Sequence, residues 1–207
     1  MNIKLLYLII LICSLQSCTP MILKTFGMKK MKVLSKEQIL YQGSKYDIPE
    51  NDSYDLDSSF VDYLFSLDSI KYKKEQKNHF QPLQALYYDK TGQLKSFHIN
   101  CNAGGFPNLK WNRFGIFDEF IPKQQTSLDS ILPLQKHLDY LVPLNNKSTI
   151  ELNDYDFVVL VHWSRFMGRQ SKRLIKIVRE NAAQNKTYKT KIIYINNDNI
   201  FANTAEF

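Results

Sequence analysis

Cysteine, long apolar runs and paired catalytic side chains are all scarce in this sequence, and each shortage removes a class of function. Three of the 207 residues are cysteine, at positions 13, 18 and 101. The four histidines, His79, His98, His137 and His162, stand singly along the chain. No Cys and His spacing suited to zinc results, so no metal is assigned. The longest apolar run, Leu5 to Cys13, is too short for a helix across a bilayer of about 30 Å, which takes roughly 20 residues. No paired nucleophile and base, carboxylate dyad or phosphate loop can be read from the sequence, so no catalytic residue and no cofactor is assigned. What is present is ample material for a packed interior: 44% hydrophobic and 13% aromatic residues, which excludes a disordered chain.

The start of the chain has the layout of an export signal. Lys4 precedes the apolar run, and Leu15, Gln16, Ser17 and Cys18 follow it. A positive start, a short apolar core and a small residue before a cleavage point define a secretory signal peptide. These four residues resemble the lipobox of bacterial lipoproteins, in which the cysteine receives the lipid. The short signal and the Lys, Asn, Ile and Tyr usage resemble lipoproteins of the Bacteroidota. The resemblance implies a signal peptide over 1–17, a lipid on Cys18 and attachment to a bacterial cell-envelope membrane. Thr19 and Pro20 follow without an acidic cluster, which points to a periplasm-facing anchor. With Cys13 removed and Cys18 lipidated, Cys101 is the one remaining thiol and no intrachain disulfide can form.

Residues 18–55 are polar and irregular, with Gly43, Pro49, Asn51 and Asp52 as turn material. They read as a tether and N-terminal arm, leaving 56–207 as one α/β domain. Helical spacing of Phe60, Val61, Leu64, Phe65 and Leu67 predicts a short helix within 56–70, ended by the basic stretch Lys71 to Lys77. Gln84 to Tyr88 and Leu94 to Asn100 read as two strands joined through Asp89, Lys90, Thr91 and Gly92, a hairpin. A further short strand is expected within 109–120, and helical periodicity over 127–142 predicts a second helix that starts or kinks at Pro133. Phe157 to Val161 is an uninterrupted β-branched and aromatic run, as expected of a central strand covered on both faces. A helix over about 168–185 and a second buried strand at Ile192 to Ile195 complete a βαβ unit with parallel strands.

The turn at the end of that central strand reads His162, Trp163, Ser164, Arg165, Phe166, Met167, Gly168, Arg169, Gln170. From Tyr155 to Asn199 the pattern resembles the active-site strand, helix and strand of thioredoxin-like proteins, with Trp163 and Gly168 on matching positions. Met167 and Gln170 stand where that family has its two cysteines, and Arg169 where it has the intervening proline. A thioether and an amide cannot replace the thiolate that exchange chemistry requires. The family also presents a proline opposite the motif, and none occurs after Pro143. The later hairpin of that fold is either missing or replaced by the earlier one.

Ligands in open α/β sheets bind at the carboxyl ends of the strands, which makes His162 and Trp163 candidate binding residues. Asn196, Asn197 and Asp198 end the neighbouring strand at the same edge. Arg165, Arg169, Lys172 and Arg173 join them because the free amides of a helix start favour anions. Between Arg165 and Lys191 there are nine basic residues against one acid, Glu180, in a chain of net charge +7. An envelope protein or an anionic lipid would suit this charge, and nucleic acid is excluded by compartment and by the absence of a groove-reading motif. The resulting expectation is a membrane-anchored, non-catalytic thioredoxin-like binding or structural module. Its rivals are a thiol-dependent enzyme using Cys101 and an immunity-type lipoprotein.

Overall fold

The computed structural model describes residues 27–104, 109–145 and 150–204. Its centre is a six-stranded mixed sheet, and the reason is visible in one strand. In β5 (Phe157–Trp163) all seven residues are buried, and each large aliphatic or aromatic side chain taken from water stabilises the fold by roughly 1.5–3 kcal/mol. On one side β5 pairs in parallel with β6 (Thr190–Asn196), and on the other it pairs antiparallel with β2 (Gln84–Asp89). β3 (Leu94–Ile99) continues the hairpin, and β1 (Ser53–Leu56) and β4 (Leu141–Pro143) extend the far side, giving the order β3-β2-β5-β6-β1-β4. β1 runs parallel to β6, and β4 antiparallel to β1.

Helices cover both faces. α1 (Lys36–Ser44) and α5 (Arg169–Gln184) pack on one face through Ile39, Leu174, Ile175 and Val178, against Val159, Val161 and Trp163. α2 (Ser59–Ser66), α3 (Lys73–His79) and α4 (Leu134–Leu138) lie over the other, where Phe60, Leu64 and Leu134 join Leu86, Val158, Leu160 and Ile193. α6 (Asp198–Thr204) closes the chain and places Ile200 in the second cluster. The hairpin turn is held by Asp89, whose Oδ1 accepts from the amides of Thr91 and Gln93, while Gly92 supplies a φ of +79°.

Four expectations need correction. The stretch read as an irregular arm contains α1, started by a capping box between Ser35 and Gln38, and β1, which is fully inside the sheet. The helix expected within 56–70 ends at Ser66, ahead of the basic stretch at 71–77, and α3 then runs through that stretch, burying Gln76 and Asn78 by hydrogen bonding and stacking His79 on Phe97. The helix expected over 127–142 shrinks to α4 behind Pro133, and Leu141 and Val142 are strand residues paired with β1. The strand expected within 109–120 is a loop with one turn of 3-10 helix, Arg113–Gly115, even though Trp111 and Phe117 are core residues. The hairpin and the βαβ unit form as expected.

Candidate functional site

Where β5 passes into α5, the chain is held from several sides. The Asp198 carboxylate accepts from the amides of Arg165 and Phe166 and from the Asn196 side chain at 2.8 Å. Burial raises the Asp198 pKa, and these donors work against that rise. Ser171 Oγ donates to the Ser164 carbonyl at 2.6 Å and accepts from the Ser164 amide, while Ser164 Oγ accepts from the Met167 amide. The amides of residues 164–167 are therefore bonded within the protein. Met167 and Gln170, at the two cysteine positions of the thioredoxin-like pattern, are buried.

The segment before α1 lies across this turn. The Lys29 amide donates to the Phe166 carbonyl at 2.8 Å, and Arg165 Nη1 donates to the Lys30 carbonyl at 3.0 Å. Gly168 has φ +53°, and a Cβ there would collide with the Gly27 carbonyl. The Asn199 side chain grips both the amide and the carbonyl of Leu34 and also donates to Asp55. Burial lifts Asp55 to about 6 against those hydrogen bonds.

Neighbours in sequence, His162 and Trp163 enter opposite faces of the sheet. Trp163 packs edge-on against Tyr46 at 5.6 Å under α1, and the Tyr46 hydroxyl donates to the Gly168 carbonyl. Arg165 is half-buried, and Arg169, Lys172 and Arg173 are exposed on the first turns of α5. The structure thus brings Trp163, Arg165 and Arg169 to one edge and separates His162 from them. Cys18 lies outside the described residues. The proline at this edge is Pro82, just before β2, whose carbonyl accepts from the Asn197 side chain at 3.0 Å. It precedes the motif in the chain, so a search downstream of the motif passes it by. The one cis peptide bond among the described residues joins Phe120 and Ile121.

Cys101 follows β3 at this same end of the sheet. It is exposed, and its thiol donates to Gln81 Oε1 at 3.0 Å. That partner is a neutral amide, so the contact supplies no base. His98 is buried and bonded to Ser96 Oγ at 2.8 Å.

A second polar cluster escaped the sequence reading because its members lie on four elements. His162 Nε2 and His137 Nε2 are 2.9 Å apart, and His137 Nδ1 makes a long 3.5 Å contact with the Tyr88 hydroxyl, which itself donates to the Leu132 carbonyl. Reading the network from Tyr88 inward puts a proton on His137 Nδ1, so that His162 donates and His137 accepts. Burial, with His79 adding repulsion, brings His162 down to about 3, and burial followed by His162 holds His137 well below the usual imidazole range. His79 Nε2 contacts both oxygens of Asp129 at 3.0 and 3.1 Å and its ring stacks on Phe97. The His137 and His162 pair is neutral at physiological pH and fully buried, which suits a structural connector and not a proton-transfer site. Among the described residues no group of three or more His, Cys, Asp or Glu side chains is arranged to hold a metal ion. Nor is any described helix long and apolar enough to cross a membrane.

No protein-family profile, curated protein or solved structure matches the chain.

Proposed function

We propose that this chain is a lipid-anchored binding module of a bacterial cell envelope, facing the periplasm, built on a thioredoxin-like sheet from which thiol chemistry has gone. The observation that carries the reading is the turn between β5 and α5. Met167 and Gln170 occupy the thiol positions, and Asp198 and Ser164 occupy the amides that would otherwise face a substrate. The sheet supports the likeness. β1, β6 and β5 run parallel, and the β2–β3 hairpin lies antiparallel beside β5, so the hairpin that the resemblance places after the βαβ unit is supplied from before it. The lipobox-like residues ending at Cys18 support the anchor.

Insulin reduction in the presence of dithiothreitol, with the full chain in detergent, tests the loss of thiol chemistry. A rate equal to buffer is expected. A rate above buffer that vanishes in Cys101→Ser would replace the module with a thiol enzyme. Binding is tested by recovery of neighbours from solubilised envelopes: a protein partner retained by the wild type and lost with Arg169→Glu and Arg173→Glu supports the module, and a trapped small molecule opposes it.

A further inference from the structure

We infer that the arm before α1, together with the exposed side of α1 and the start of α5, forms a docking face for an anionic lipid surface. The inference rests on the reading of Cys18 as the lipid-bearing residue. Two features of the face point to lipid. Between Gly27 and Tyr46 there are five lysines, Lys29, Lys30, Lys32, Lys36 and Lys45, and one acid, Glu37. Interleaved with them are apolar side chains left in solvent: Met31 at 40%, Val33 at 58% and Tyr41 at 65% exposure. Exposed cations alternating with exposed apolar groups suit a headgroup region, where the charge meets phosphate and the apolar groups enter the interface.

Lys29, Lys45 and Arg165 lie near one another. Lys29 has its pKa lowered by partial burial, then by Arg165 and Lys45, with Asp198 opposing. Like charges that perturb one another across three elements gain from an anionic surface placed over them. The Lys45 ammonium sits 4.1 Å from the centre of the Tyr41 ring. Arg169 packs against Gly27, and Lys172 shares a groove with Tyr46 and Asp47, so the basic start of α5 continues the same face.

The tether brings this face to the membrane. Gly27 is locked against Gly168, and only eight residues, 19–26, stand between it and Cys18. The nine Cα-to-Cα steps from Cys18 to Gly27 span about 30 Å at most. A domain of this size is about 40 Å across. The lipid therefore holds the β5–α5 edge on the membrane side, with the lysines and apolar groups of the arm nearest the headgroups.

The test uses the full lipidated chain with Cys101→Ser and a fluorophore on Val33→Cys, or on Ile70→Cys as a control 92% exposed between α2 and α3. Vesicles of phosphatidylcholine alone, or with phosphatidylglycerol, carry a spin-labelled lipid as quencher. Strong quenching at position 33 and weak quenching at 70, in phosphatidylglycerol vesicles only, is the expected result. K29Q/K30Q/K32Q should weaken docking about a hundredfold, at about fivefold per lysine neutralised, and so remove the quenching while the protein still floats with vesicles. Flotation with equal quenching at 33 and 70 overturns the docking face and leaves the lipid reading intact. Flotation with phosphatidylglycerol alone, lost in K29Q/K30Q/K32Q, overturns the lipid reading and upholds the face. Absence of flotation with either vesicle overturns both.

Discussion

Acid should attack this protein through its interior histidines, and His162 gives the cleanest case. In the folded chain burial holds His162 at about 3, whereas the unfolded chain takes up a proton near 6.5. The folded pKa is the lower one, so the contribution of His162 to stability is complete above pH 6.5 and is lost as pH falls from there toward 3. Linkage over that window gives a loss of about 2 kcal/mol at pH 5. His98, held at about 4 by burial, adds about 2 kcal/mol at the same pH by the same reasoning. Together these are a large share of the 5–15 kcal/mol that stabilises a typical domain. His162→Gln removes one titration and keeps a donor toward His137. Urea unfolding of wild type and variant at pH 7.5 and pH 5.0 is the assay, with the denaturant dependence checked to be equal for the two. The wild type should lose about 2 kcal/mol more than the variant between these pH values. Parallel pH dependence would refute the buried neutral pair.

Three further outcomes follow from the β5–α5 turn. Asp198→Ala strips an acceptor from the amides of Arg165 and Phe166 and from Asn196, and should cost about 2–4 kcal/mol in chemical denaturation. Gly168→Ala forces a collision with the Gly27 carbonyl and strains a positive φ, so trypsin should cut at Lys29 and Lys30 faster than in the wild type. Met167→Cys with Gln170→Cys, made in Cys101→Ser, should form a disulfide on mild oxidation, as the proposed thioredoxin-like placement of these positions requires; two free thiols by mass spectrometry would argue against that placement.

The parts of the fold that could be read from the sequence are those whose physics is local. Phe157 to Trp163 is apolar throughout because both its faces are covered. α5 shows its buried side at Leu174 and Val178, and the Asp89 to Gly92 turn carries its own hydrogen bonds. β1 is different: Ser53, Tyr54, Asp55 and Leu56 have no strand signature and become a strand only because β6 and β4 flank them. α3 hides its burial in polar side chains, with Gln76 donating to two carbonyls at the end of α2. The candidate edge was legible as a place, since Trp163 and Asn196 do lie side by side. Asp198 was read at that edge, but its hold on the amides of Arg165 and Phe166 and the Gly27 to Leu34 arm lying across it were not, because those contacts span more than 30 and more than 130 residues. The same holds for His79, His137 and His162, single residues in the sequence that the packing of α3 against β3 and of α4 against β5 gathers.

The proposed lipid anchor underlies both the proposed role and the orientation of the docking face, and one measurement addresses it directly. Cells expressing the wild type or Cys18→Ala are fed an alkyne fatty acid, and the purified protein is coupled to a fluorescent azide. Label on the wild type and none on Cys18→Ala, with the wild type alone partitioning into detergent, is the expected result. Equal labelling of the two chains, or an unlabelled wild type, would contradict it.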